Sequence, residues 1–362
     1  MYAKLKKDSI RHLFLAYTGY SVGKDGAAHE QNWNSSRFSP MLIHYDMGTG
    51  LADEVFFHEY LFLAMSIKDQ AGKMKYIFMN EEAPANLRDW AIYTNELFSQ
   101  KQNIDALYRL SLQNDLCKTI PIDVWIAIPY PHPKVFPHDW LRVQAVCHWI
   151  RSFLYRWKWA NFKPHFRLKG FYWIQEGEYF NGPTFHDGYV MNKVNHYVRK
   201  KKVAGRYLQA LWIPYQDAPR WDQWREFGFC QSILQPSSYF NTKKTIGKGL
   251  ADAYENGQGV EMELDLGVVY DQEQRRKFFE YLNKGVTGGQ DEAGRYFSPY
   301  MNHTSIAWYT GGWLVKEGCL THVIPKLYEN KDPLYESIWR FVKGTYRVKL
   351  EDGYPTGYPS KN

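Results

Sequence analysis

From one end to the other, the chain is punctuated by short apolar runs that stop at a proline, an aromatic residue or a carboxylate. Each then hands over to a stretch of helical periodicity. Seven runs stand out: 12–19, 55–63, 124–131, 169–176, 208–215, 229–236 and 259–265; an eighth, less sharply marked, lies at 296–300. Strands that alternate with helices make a parallel sheet, because parallel neighbours can be joined only by a long crossover. Eight strands and seven crossovers predict an α/β fold, a single-domain (β/α)8 TIM barrel over residues 1–350, with a short tail at 351–362.

A length of 362 residues would also accommodate two ordinary domains. The spacing favours the barrel. Glu176 and Glu261 lie 85 residues apart (261 − 176), or three βα units of about 28, against about 30 for a typical unit. Amphipathic stretches at 86–115, 138–159, 187–202, 242–256, 272–284 and 332–346 supply the crossovers. Pro129 and Pro214 each interrupt an Ile-Pro-Tyr string, and since proline removes a ladder donor, both mark where strands stop.

Charge narrows the partners. The formal net charge is +7, but the basic residues are scattered except for Arg199-Lys200-Lys201-Lys202, which reads as the cationic end of a helix. No nucleic-acid motif accompanies it, so no nucleic-acid partner is expected. No run of about 18 apolar residues exists, so no membrane span is expected. Cys117, Cys147, Cys230 and Cys319 are too far apart for a zinc or disulfide pattern. The N-terminal Met1-Tyr2-Ala3-Lys4 segment has no apolar stretch behind it and does not read as a signal peptide.

Two runs carry chemistry. In Gly170-Phe171-Tyr172-Trp173-Ile174-Gln175-Glu176 an apolar strand ends in a carboxylate. In Gly259-Val260-Glu261-Met262-Glu263-Leu264-Asp265 the period of two puts three carboxylates on one face. In the barrel these are strands four and seven, and catalytic groups sit at the C-terminal ends of such strands. Glycosidic cleavage needs one protonated carboxyl and one carboxylate, and aromatic surroundings raise a carboxyl pKa by desolvation. Glu176, beside Tyr172 and Trp173, is therefore the expected general acid/base. Glu263 is the expected nucleophile or base, with Glu261 as an orienting neighbour or the alternative partner. The spacing matches no calcium or magnesium loop, so neither a metal nor a cofactor is expected.

Aromatic residues make up 17% of the chain, with 14 Trp and 28 Tyr, a surplus suited to stacking on pyranose rings. Tyr17, Tyr130, His132, Tyr172, Tyr215, Gln235 and Tyr239 lie at or near strand ends and are the expected substrate contacts. Trp33 and Trp308 are further stacking candidates. Each could equally be packed or satisfied within its own loop. A non-catalytic glycan-binding barrel is the alternative to a hydrolase, and a binder of anionic polymer is a third reading of the positive charge. Oligomeric state is not legible.

Taken in order, His12 to Gly19, Ile128-Pro129-Tyr130-Pro131, Gly170 to Glu176, Trp212-Ile213-Pro214-Tyr215, Leu234-Gln235-Pro236 and Gly259 to Asp265 resemble the domain-of-unknown-function 4855 family along nearly the whole chain. That resemblance implies a bacterial protein, frequently exported, its leader outside this chain. It also implies a barrel similar to those of glycoside hydrolases, working in polysaccharide breakdown. Acids on strands four and seven resemble the arrangement of retaining enzymes. The sequence departs from the family pattern at His58 and Cys230, where the pattern leads one to expect Asp, and at Ser237, where it leads one to expect Asn.

Overall fold

The computed structural model describes residues 1–348 apart from residues 3, 7, 23–26, 179, 182–184, 242 and 312–322. The tail at 351–362 and Cys319 lie outside the described residues. Eight strands close a parallel barrel: β1 (His12–Thr18), β2 (Glu59–Ala64), β3 (Ile122–Ile128), β4 (Phe166–Trp173), β5 (Gln209–Trp212), β6 (Gln231–Leu234), β7 (Gly259–Glu263) and β8 (Ile306–Tyr309). Neighbours in the barrel are neighbours in sequence, and β1 pairs with both β2 and β8 to complete the ring. The (β/α)8 architecture expected from the sequence is what the chain adopts, in one domain.

Ten helices surround the barrel among the described residues: α1 (Ser35–Leu42), α2 (Leu87–Leu97), α3 (Asn103–Gln113), α4 (Asp139–Ala160), α5 (Asp187–Arg199), α6 (Ile246–Asn256), α7 (Gly267–Tyr270), α8 (Gln272–Thr287), α9 (Val323–Glu329) and α10 (Pro333–Val342). The helical stretch expected over 86–115 is two helices. α2 starts at a capping box in which Asn86 and Asp89 exchange hydrogen bonds, and the chain breaks again where Lys101 and Asn103 take positive φ. The crossover between β5 and β6 is short and holds only a single turn of 3-10 helix at Trp221–Gln223.

Three strand expectations shift. The eighth strand is Ile306–Tyr309 rather than 296–300, where Tyr296–Phe297 pairs with Gly289–Gln290 in a small antiparallel hairpin. The second begins at Glu59, because Ala52–Val55 pairs with Ile43–Tyr45 outside the barrel. The equal unit of about 28 residues is an average: strand ends at 173, 212, 234 and 263 are 39, 22 and 29 residues apart. A barrel constrains where strands lie, not the length of each crossover.

The register of β4 is fixed by Gly170. A Cβ there would meet the Gln209 carbonyl oxygen at 2.1 Å and the Trp125 ring at 2.7 Å, and the β3–β4 ladder shifts between Leu168 and Gly170. The missing side chain lets a buried indole from β3 cross behind β4. The N-terminal floor of the barrel is polar. Arg167 holds Asp123 in a bidentate pair at 2.6 and 2.8 Å, Lys169 adds a contact to Asp123 at 3.3 Å, and Gln231 donates to Gln209. Glu59, also buried, accepts from the Arg11 backbone N–H at 2.9 Å.

Candidate active site

At the opposite, C-terminal end the barrel opens into a cavity of about 570 Å³, within the usual range for small-molecule sites. One wall is apolar, with Leu15, Leu63, Met65, Phe78 and Met79. The other carries Glu176, Gln235, Ser237, Glu261, Glu263 and Asp265, with Tyr17, Tyr172, Tyr309 and Phe240 between them. The acids expected on strands four and seven therefore share one cavity. The period of two along β7 aims Glu261 and Glu263 at the same space, and Asp265 continues the row just past the strand.

Glu176 sits three residues beyond the end of β4. The loop that carries it is pinned by the next strand: the Trp212 indole donates to the Gln175 carbonyl at 2.7 Å, and the Tyr215 N–H donates to the Glu176 carbonyl at 3.3 Å. Its carboxyl is open to water in the cavity but walled by protein around it. That desolvation raises its pKa above the ordinary carboxylate value, and a hydrogen bond with Gln235 offsets part of the rise. Gln235 is itself fixed by donating to the Ile213 carbonyl at 2.9 Å.

Glu263 is the most firmly held of the acids. Oε1 accepts the Ser237 backbone N–H at 2.8 Å, and Oε2 accepts the Tyr281 hydroxyl at 2.5 Å. Ser238 braces Tyr281 through a 2.7 Å hydroxyl contact. Ser237 takes φ +58°, a conformation in which Asn is at ease, and this directs its N–H at the carboxylate. Burial pushes Glu263 up to about 7, while its hydrogen bonds, that of Tyr281 first, pull the other way.

Glu261 lies one layer deeper, is 2% exposed, and has no hydrogen-bond partner among the described residues. Burial, then the neighbouring Glu263 and Glu176, push its pKa well above the ordinary carboxylate value. The idea of an exposed edge strand of solvated charges does not survive: all five residues of β7 are buried and both its neighbours are paired.

Six expected residues converge on the cavity: Glu176, Glu261, Glu263, Tyr17, Tyr172 and Gln235. The others do not line it. Tyr239 stands behind, its hydroxyl donating to Asp265 at 2.9 Å. The Tyr130 hydroxyl donates to the Asp187 carboxylate, which is paired with the buried Arg142. His132 is buried in its own loop, accepting from the Lys134 N–H at 3.1 Å. Tyr215 is partly exposed beneath the Lys244 ammonium, 4.6 Å from its ring centre. Trp33 and Trp308 are fully buried core residues, their indoles donating to the Tyr17 carbonyl and to His12.

Sequence reasoning missed Tyr309, Phe240, Asp265 and Tyr281 as site residues. Tyr309 was hidden by the misplaced eighth strand, although Ile306-Ala307-Trp308-Tyr309 followed by Thr310-Gly311 has the same apolar-then-glycine form as the run before Gly177. Phe240 is half exposed and meets Tyr309 edge-on at 5.6 Å, which meets Tyr17 in the same way at 5.6 Å, so the aromatic surface at the mouth spans β1, β8 and the loop after β6. His58 and Cys230 precede β2 and β6, at the floor; of the three positions where a departure from the family pattern is expected, only Ser237 touches the cavity. No group of three His, Cys, Asp or Glu residues close enough to hold a metal ion occurs among the described residues. No helix among them is long and apolar enough to cross a membrane.

The model of a family described as a domain of unknown function (DUF4855) matches residues 14–319. No curated protein and no solved structure matches significantly.

Proposed function

The chain belongs to the DUF4855 family, whose description names no activity, and from the cavity itself we propose that it is a glycoside hydrolase acting by a two-carboxylate mechanism on a polysaccharide or oligosaccharide. The observation that carries the reading is that Glu176, just past β4, and Glu263, at the end of β7, both line one aromatic-walled cavity at the C-terminal mouth of the barrel. Glu176, its pKa raised by desolvation, holds the proton that a leaving glycosidic oxygen needs. Glu263, fixed through both oxygens by donors that favour its ionised form, is the nucleophile of a retaining reaction. In the second half Glu176, having lost its proton, takes one from water. Phe240, Tyr309 and Tyr17 give the sugar a face to stack on.

Glu263 is 2% exposed and held by two donors, whereas Glu176 opens onto the cavity with a raised pKa, which fits a reaction needing a neutral acid and an anion in one site. The setting expected of such an enzyme is bacterial polysaccharide breakdown outside the cell. The test is Glu176→Gln, which keeps shape and removes the proton. Release of reducing ends from a panel of polysaccharides should fall by about 10³-fold with unchanged thermal unfolding. Wild-type turnover by the variant would remove Glu176 from the mechanism. Glycan binding with no reducing ends released by the wild-type protein would instead make this a glycan-binding barrel.

A further inference from the structure

Two carboxyl groups suffice for glycosidic cleavage, yet the cavity holds four: Glu176, Glu261, Glu263 and Asp265. Glu263 and Asp265 are satisfied within the protein, by Ser237 and Tyr281 and by Tyr239 and the Gly267 N–H. Glu261 is not: it is buried, lines the cavity and has no hydrogen-bond partner among the described residues. Its oxygens open onto the cavity with no protein group to meet them, so a ligand in the cavity is what supplies their partner. No lysine, arginine or histidine lines the cavity among the described residues. Lys244 acts on Glu263 from outside the lining, and the described lining itself, acidic and without a cation, suits a cation better than an anion.

We propose that the sugar bound here carries a free amino group, and that Glu261 is the residue that reads it. This rests on the reading of the cavity as a glycoside site and names its substrate class: an oligomer containing a hexosamine whose nitrogen is not acetylated. An ammonium fits better than a metal ion, because no three acidic side chains converge to chelate one among the described residues. It also fits better than a uronic acid or a sulfated sugar, whose charge would face four carboxyl groups.

The charge logic is self-consistent. The groups facing Glu261 are Glu263, Glu176, Tyr17, Tyr172 and Tyr309, all acids, so its surroundings favour the protonated form. An arriving ammonium supplies the missing positive charge, Glu261 ionises, and its proton leaves to solvent. Binding therefore releases about one proton per ligand, whereas an N-acetylated sugar releases none.

The experiment is calorimetric titration of the Glu176→Gln protein, which should bind without turnover, at about pH 6 in buffers of different ionisation enthalpy. The probes are oligomers of glucosamine and of galactosamine and their N-acetylated counterparts. We expect a free-amine oligomer to bind at least about tenfold more tightly than its acetylated form, as a charge-assisted hydrogen bond allows, with proton release. Adding Glu261→Gln should bring that ratio to about one and abolish the release. Equal binding of the acetylated forms, binding of neither amine oligomer, or a preference that persists with Glu261→Gln overturns the proposal. Amine preference and proton release are both read without the Glu261 substitution, so the loss of either overturns the proposal even if that variant does not fold. Amine-selective binding without hydrolysis by the wild-type protein would sink the hydrolase reading alone; hydrolysis of neutral or acetylated glycans without preference would sink this one alone.

Discussion

The two ends of the barrel are built from the same kinds of residue and end up in opposite electrostatic states. At the floor, Asp123 is gripped by Arg167 and Lys169, and the network lines no part of the mouth cavity. At the mouth, Glu176, Glu261 and Glu263 face a cavity with no cation among its described lining residues. Yet burial raises a carboxyl pKa at both ends: Glu59 at the floor is pushed up to about 8 by desolvation first and by Asp123 second, and Glu263 at the mouth to about 7. A raised pKa alone therefore does not mark a site. What distinguishes the mouth is acids without cations beside space that a ligand can enter.

The sharpest way to break that contrast is to take a cation from the floor. Arg167→Met leaves the buried Asp123 with Lys169 alone and should destabilise the protein by about 3 kcal/mol in chemical denaturation. Hydrolysis per folded molecule should be unchanged; a large loss of kcat without a loss of stability would mean that the floor takes part in the chemistry.

A smaller effect, opposite in sign, is expected of Glu59→Gln. The folded-state pKa of Glu59 lies above its unfolded value near 4.5, so the folded protein binds the extra proton between those values. Stability from this group is complete below about pH 4.5 and is lost as pH rises towards 8. Gln mimics the protonated acid and can still accept the Arg11 N–H. The variant should match wild type at low pH and become progressively more stable than wild type as pH rises towards 8 in pH-resolved unfolding. A variant less stable than wild type throughout would show that Glu59 is ionised and paired in the folded state.

The smallest expected effect is at the mouth. Tyr281→Phe removes the donor to Glu263 Oε2, so the ionised form loses support and the Glu263 pKa rises from about 7. If Glu263 acts as the anion, the acid limb of the pH profile moves to higher pH and kcat near neutrality falls about tenfold. An unmoved limb would assign it to another group.

Much of this was legible in the sequence because strands and the period of two are local properties. The apolar runs gave seven strands close to their true positions, and the alternation in Gly259–Glu263 put Glu261 and Glu263 on one face before any fold was known. The eighth strand was misplaced because Tyr296–Phe297 is as aromatic as Ile306–Tyr309, and only pairing with β1 and β7 separates them. Likewise Tyr130 and Tyr215 share an Ile-Pro-Tyr string with a strand end, but neither lines the cavity: one packs on Arg142 and Asp187, the other lies under Lys244.

By itself, then, the sequence determined the alternation of strand and helix, the barrel that such alternation closes, and the shared face of the strand-seven acids. The tertiary structure decided which acids are paired and which are left alone. Whether a carboxyl is braced by a cation or faces open space depends on which side chains the other strands bring to it. Arg167 and Asp123 are 44 residues apart and Glu176 and Glu261 are 85 apart, and no local pattern encodes which of these pairings meets a cation and which meets open space.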